Sequence, residues 1–241
     1  MKKKNLLTAA VSLSLVAVVG VGATLAYFSD KTDTMTNVFV SGKVDVTLID
    51  EFNKTETPKG EYEFDENGVQ TGILYTNVMP GDTLDKDVSL MVRDGSSNAH
   101  VGIVVTVDHS QNPSADEVYK LVDEAVQRQE AVVGDMWQNV QDVNVFGGEN
   151  IVAGKLYVYN PQYEGADWTQ GVPAGTLLQL FSDIQVPTSW DNAYADTEFC
   201  INVQGYAIQA DNMAASLLKS AIEGTLRDDN GDTVLFEQYG D

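Results

Sequence analysis

The chain has 241 residues, with 14 Lys and Arg against 36 Asp and Glu and a formal net charge of −22. So acidic a surface repels nucleic acid and anionic membranes, which argues against nucleic-acid partners. Hydrophobic residues, at 43%, suffice for a packed core, which argues against general disorder, and the single cysteine, Cys200, leaves no intrachain disulfide to support it.

The chain opens with Lys2, Lys3 and Lys4, followed by an apolar run from Leu6 to Ala26 that is broken only by Thr8, Ser12, Ser14 and Thr24. This pattern predicts a secretory signal over 1–26, cut between Ala26 and Tyr27. The run is also long enough to span a bilayer as an uncleaved anchor. Gly20, Gly22, the small residues before the cut and the lack of a basic cluster after it favour cleavage. Removal of the signal takes three lysines with it and leaves about 215 residues, which suits a single domain over 27–241.

Tyr27-Phe28-Ser29-Asp30 is aromatic and then acidic, an unusual start for a discarded peptide. From Thr36 the chain turns β-branched and aromatic, and Val44, Val46 and Leu48 alternate, so a first strand is expected over about 37–50. Glu61-Tyr62-Glu63-Phe64 alternates, Asp65-Glu66-Asn67-Gly68 is a hairpin turn, and Ile73-Leu74-Tyr75 resumes the ladder. Pro80-Gly81 turns the chain again, and Leu84, Val88 and Leu90 share one parity. Val101, Ile103, Val105 and Val107 form the cleanest two-residue period.

Beyond this strand the period changes. Ser114 and Glu117 form a capping box, and Val118, Leu121, Val122, Ala125 and Val126 recur at helical spacing. They predict an amphipathic helix over about 115–131, lying over an edge or end of the sheets. Strands are expected again at Ile151–Tyr159, Thr176–Val186 and Phe199–Gln209, with a parity change at Gln204-Gly205 that suggests a bulge. A second helix over about 212–223 and a short strand at Val234–Phe236 complete the reading. The pattern is that of an all-β protein, a β-sandwich with two inserted or peripheral helices.

Three stretches carry a family likeness: Ala23 to Asp30 with Asn37 to Val46; Met79-Pro80-Gly81-Asp82 with Lys86-Asp87; and Phe199 to Ala210. They resemble, in the expected order and over about a third of the chain, the TasA/camelysin family of secreted proteins of Gram-positive bacteria. The resemblance implies jelly-roll connectivity, processing by a dedicated signal peptidase, and a fibre-forming role in a biofilm matrix.

Catalytic chemistry finds little to stand on. The two histidines, His100 and His109, lie at opposite ends of one strand, roughly 30 Å apart in extended chain, so they are read as exposed residues at loop edges rather than as zinc ligands. No Gly-x-Ser-x-Gly context accompanies them. Cys200, between Phe199 and Ile201, reads as a buried strand residue. Asp228, Asn230 and Asp232 imitate a calcium loop, but Thr233 stands where glycine is required, so a turn is the simpler account. Trp137, Trp168 and Trp190 are expected as core or loop anchors, with a glycan platform as the alternative. No catalytic residue, metal or cofactor is expected.

The expected function is therefore a secreted structural subunit, located in the extracellular matrix or at the cell surface. Its main partner is itself, in a homopolymer fibre, with accessory matrix proteins beside it. The resemblance implies assembly by strand donation from residues 27–40, with Tyr27, Phe28, Met35, Val38 and Phe39 as apolar anchors. In the competing arrangement residues 27–49 fold back as the first strand of their own domain. The alternatives in function are a camelysin-like secreted metalloprotease and a monomeric cell-surface adhesin or binding module.

Overall fold

The computed structural model describes residues 29–31, 44–52, 60–64, 68, 70–109, 113–133, 137–147, 150–160, 170–191, 194, 199–211 and 214–223. Its strands are β1 (Ser29–Lys31), β2 (Val46–Glu51), β3 (Gly60–Phe64), β4 (Gln70–Tyr75), β5 (Thr83–Val92), β6 (Ala99–His109), β7 (Trp137–Gly147), β8 (Asn150–Tyr159), β9 (Leu177–Gln185) and β10 (Phe199–Gln209). Helix α1 (Ala115–Val133) separates β6 from β7, and α2 (Leu217–Ile222) follows β10. The protein is all-β, with two helices among the described residues.

Two sheets form. The larger has the order β3-β4-β10-β6-β8-β7 with β1 also on β10, and the smaller has the order β2-β5-β9. One apolar core lies between them. The small sheet contributes Val46, Leu48, Val88, Leu90, Leu180 and Ile184; the large sheet contributes Ile73, Val101, Ile103, Val105, Phe199, Ile201 and Val203. Each of these side chains, fully buried, contributes about 1.5–3 kcal/mol. Val118, Leu121, Val122, Ala125 and Val126 of α1 join the same core, as their spacing predicts.

The turns follow their local chemistry. At Met79-Pro80-Gly81-Asp82, Gly81 has φ +85°, the Asp82 N–H donates to the Met79 carbonyl at 3.0 Å, and the Asp82 carboxylate accepts from the Met79 N–H at 2.6 Å. Proline fixes the first corner, and glycine takes the left-handed second one. The capping box of α1 closes reciprocally: the Ser114 N–H donates to Glu117 Oε2 at 2.9 Å, and the Glu117 N–H donates to Ser114 Oγ at 3.4 Å.

The structure corrects several expectations. β10 has no bulge, because its register with β6 runs unbroken from Phe199↔His109 to Gln209↔Ala99. The parity change has another cause. Tyr206 and Ile208 face the other side of the sheet, where Val104, Leu156, Leu218 and Ile222 bury them in a second core beneath α2. Gly102 permits this approach, since a Cβ there would stand 2.7 Å from Leu218 Cδ2. Strand β7 was not expected; it forms a hairpin with β8. Helix α1 runs two residues beyond its expected end, and α2 is shorter than 212–223. The expected strand at 234–236 and the acidic turn at 228–232 lie outside the described residues.

Candidate functional site

Strand β10 takes partners along both of its sides. One side pairs with β6 along its whole length. The other side is shared: β4 takes Phe199–Ile201, and β1 takes Tyr206–Ile208 in antiparallel register, Ser29↔Ile208, Asp30↔Ala207 and Lys31↔Tyr206. Strand β1 therefore extends the line that β4 begins, with three register pairs among the described residues. The described part of the 27–40 segment is thus seated on its own chain, as in the competing arrangement. The cleavage pair Ala26 and Tyr27 and the expected anchors Phe28, Met35, Val38 and Phe39 lie outside the described residues.

Other sheet edges are closed differently. Along β9, Arg128 of α1 donates through Nη2 to the Asp183 carbonyl at 3.1 Å and to its carboxylate at 2.9 Å. The Trp137 Nε1–H donates to the Gln179 carbonyl at 2.8 Å. Both carbonyls belong to the outer strand of the small sheet, so a helix and an indole occupy bonding positions that a foreign strand would use. Along β7, the outer strand of the large sheet, Lys219 donates to the Asp142 carbonyl and Glu223 accepts from the Asn144 N–H at 3.2 Å. Helix α2 thus guards that edge while covering the second core. On its opposite flank α1 reaches β8, where Asp123 accepts from Lys155 at 2.7 Å and from the Tyr157 hydroxyl at 2.6 Å. Burial first, then this carboxylate, push the Tyr157 phenol far above its ordinary value.

The remaining singled-out residues fall as follows. His100 is buried in β6, contrary to expectation, because its alternation places it with Gly102 and Val104 on the face beneath α2. His109 ends the same strand. Cys200 is buried, as expected, and its thiol donates to Asn202 Oδ1 at 3.2 Å. Trp137 is buried and Trp168 lies outside the described residues. Trp190 stacks on Tyr194 with ring centroids 4.6 Å apart. These two rings line a cleft of about 640 Å³ with Glu117, Lys120, Glu124 and Arg128. Tyr194 donates to Glu117, and this bond, then those from Ser114, hold the Glu117 carboxyl below the usual range.

Among the described residues, no three His, Cys, Asp or Glu side chains gather where they could hold a metal ion, and no helix is long and apolar enough to cross a membrane. Compared with family models, curated proteins and solved structures, the chain matches none. The edge chemistry had one sequence signal, a strand-forming segment beside the expected cleavage site. The guards of β9 and β7 had none, because Trp137, Arg128, Lys219 and Glu223 are individually ordinary.

Proposed function

We propose that the protein is a secreted structural subunit that polymerises into extracellular matrix fibres, in the manner its likeness to TasA and camelysin implies. The N-terminal strand of one mature copy would take the β1 position on β10 of the next. Main-chain bonds supply the affinity of such an addition, and alternate side chains supply its register. Because donor and acceptor are different surfaces, the contact repeats without closing. One observation carries this reading: β1, close to the expected cleavage point, is joined to β10 by main-chain pairing at Ser29–Lys31. A segment joined by backbone pairing, which every copy offers alike, can be exchanged for a neighbour's. The jelly-roll connectivity belongs to the same proposal, supported by a chain that passes between the sheets at β1–β2, β2–β3, β4–β5, β5–β6, β8–β9 and β9–β10.

Deleting Tyr27 to Thr36 tests the reading. The expected product is a folded monomer that scatters light as a monomer at every concentration and forms no filaments under the electron microscope. Filaments from this protein would rule out the donor. The second reading, a monomeric binding module, draws on the cleft with the Trp190–Tyr194 stack. It requires mature protein that stays monomeric yet binds a matrix polysaccharide, with binding lost in Trp190→Ala.

A further inference from the structure

Lys86 has the parity of Leu84, Val88 and Leu90, and like them it points inward, with no exposed surface. Asp50 of β2 pairs with Val88 across the ladder, which makes Lys86 its diagonal neighbour on the core-facing side. Lys86 Nζ stands 2.6 Å from Asp50 Oδ1, and the Asp50 side chain is 1% exposed. The fully buried Tyr75 belongs to the same region, since its phenol is pushed up by burial and then by Asp50 and Asp85.

An ion pair is costly in such a place, since desolvation takes several kcal/mol from each ion before their attraction returns any of it. The neutral pair, amine beside carboxylic acid, avoids that cost. Burial acts in this direction on Asp50, holding its carboxyl above the usual range against the pull of Lys86. A buried lysine amino group held 2.6 Å from a buried carboxyl oxygen has the components of an amide, in the kind of fixed contact that makes intramolecular reactions fast.

We propose that Lys86 and Asp50 condense into an intramolecular isopeptide bond that ties β5 covalently to β2. The ammonium first passes one proton to the Asp50 carboxylate across their contact. The Nζ lone pair then attacks Cγ, and a C–N bond forms. A second Nζ proton moves to the carboxyl hydroxyl, the C–O bond breaks, and one water leaves. The product keeps one N–H on Nζ and one oxygen on Cγ, and no oxidant, reductant or cofactor takes part. The dry core protects the amide from hydrolysis. With no disulfide open to the chain, this bond would supply a cross-link between the first long strand of the small sheet and its centre.

Mass spectrometry of the mature protein under denaturing conditions tests the proposal directly. The chain is expected to be lighter than its sequence by one water. After trypsin, Lys86 is expected to remain uncut, with the peptides containing Asp50 and Lys86 joined as one branched species. Lys86→Arg and Asp50→Ala should each restore the full sequence mass, a reading that does not depend on whether either variant folds. A wild-type chain of full mass, giving separate peptides for the two residues, overturns the bond and leaves a buried ion pair. This outcome is independent of filament formation, so it stands or falls apart from the fibre reading.

Discussion

Strands β9 and β10 both present backbone bonding groups that their own sheets leave to be finished, and they are finished in opposite ways. On β9 the carbonyls of Gln179 and Asp183 accept from Trp137 and Arg128, side chains fixed within the fold. On β10 the stretch Tyr206–Ile208 is paired by β1, a piece of main chain close to the expected cleavage point. A tryptophan held in the core cannot be lent to a neighbour. A terminal strand can, because its pairing depends on backbone that every copy offers alike. On the proposed reading, side chains fixed within the fold block association along β9, while the β1 position on β10 is the place where association can be specific.

The strongest way to break this contrast is to make β1 as immovable as Trp137. Asp30 and Ala207 are register partners, so the double variant Asp30→Cys, Ala207→Cys can bridge β1 to β10 of the same chain. Oxidised as a monomer, it should lose filament assembly completely and regain it on reduction, as read by light scattering and electron microscopy. Filaments from the oxidised, internally bridged monomer would show that β1 exchange is not the route.

The converse is to open β9. Trp137→Ala removes a buried aromatic and the donor to Gln179, and is expected to cost about 3–5 kcal/mol in denaturant unfolding. It should also yield amorphous aggregate rather than filaments, because an edge freed this way has no matching donor. Trp137→Phe keeps most of the packing and loses the indole bond, so its cost should fall to about 1 kcal/mol. A smaller effect is expected at β7: Lys219→Met leaves the Asp142 carbonyl to water and should cost about 0.5–1.5 kcal/mol.

The contrast between the edges was only half legible in the sequence. Local chemistry was readable wherever a few adjacent residues decide it: the Pro80-Gly81 turn, the Ser114–Glu117 capping box, the alternation of Val101, Ile103 and Val105. Patterns failed where two environments overlap. Tyr206 and Ile208 look like a slipped register because periodicity assumes one buried face, whereas β10 is buried on both. Strand β7 was hidden because Gln138, Asn139, Gln141, Asp142 and Asn144 dilute the signal of Val143 and Val145. Lys86 entered only through the family likeness, because its charge kept it out of the alternation of Leu84, Val88 and Leu90 whose buried face it shares. The guards of the edges act across 42 to 79 residues of chain, beyond the reach of any local rule.

The smallest effect sharpens the account of α1, the helix that closes β9. Glu117 caps this helix and accepts from Tyr194 and Ser114, which together lower its pKa. Between the lowered folded value and the unfolded one, the folded state binds fewer protons, so stability falls as the pH falls. The contribution of Glu117 is therefore full above the usual glutamate value of about 4.3 and fades as acid carries the protein through the folded pKa. Asp50 would slope the other way only as a free carboxyl, raised by burial; condensed with Lys86 it no longer titrates. The Glu117 slope is isolated by comparing wild type with Glu117→Gln. The variant should be slightly less stable near neutral pH and converge on wild type in acid, as followed by urea midpoints across that range. An unchanged gap at low pH would mean that the Glu117 bonds do not depend on its charge, and that the cap holds α1 against β9 by packing alone.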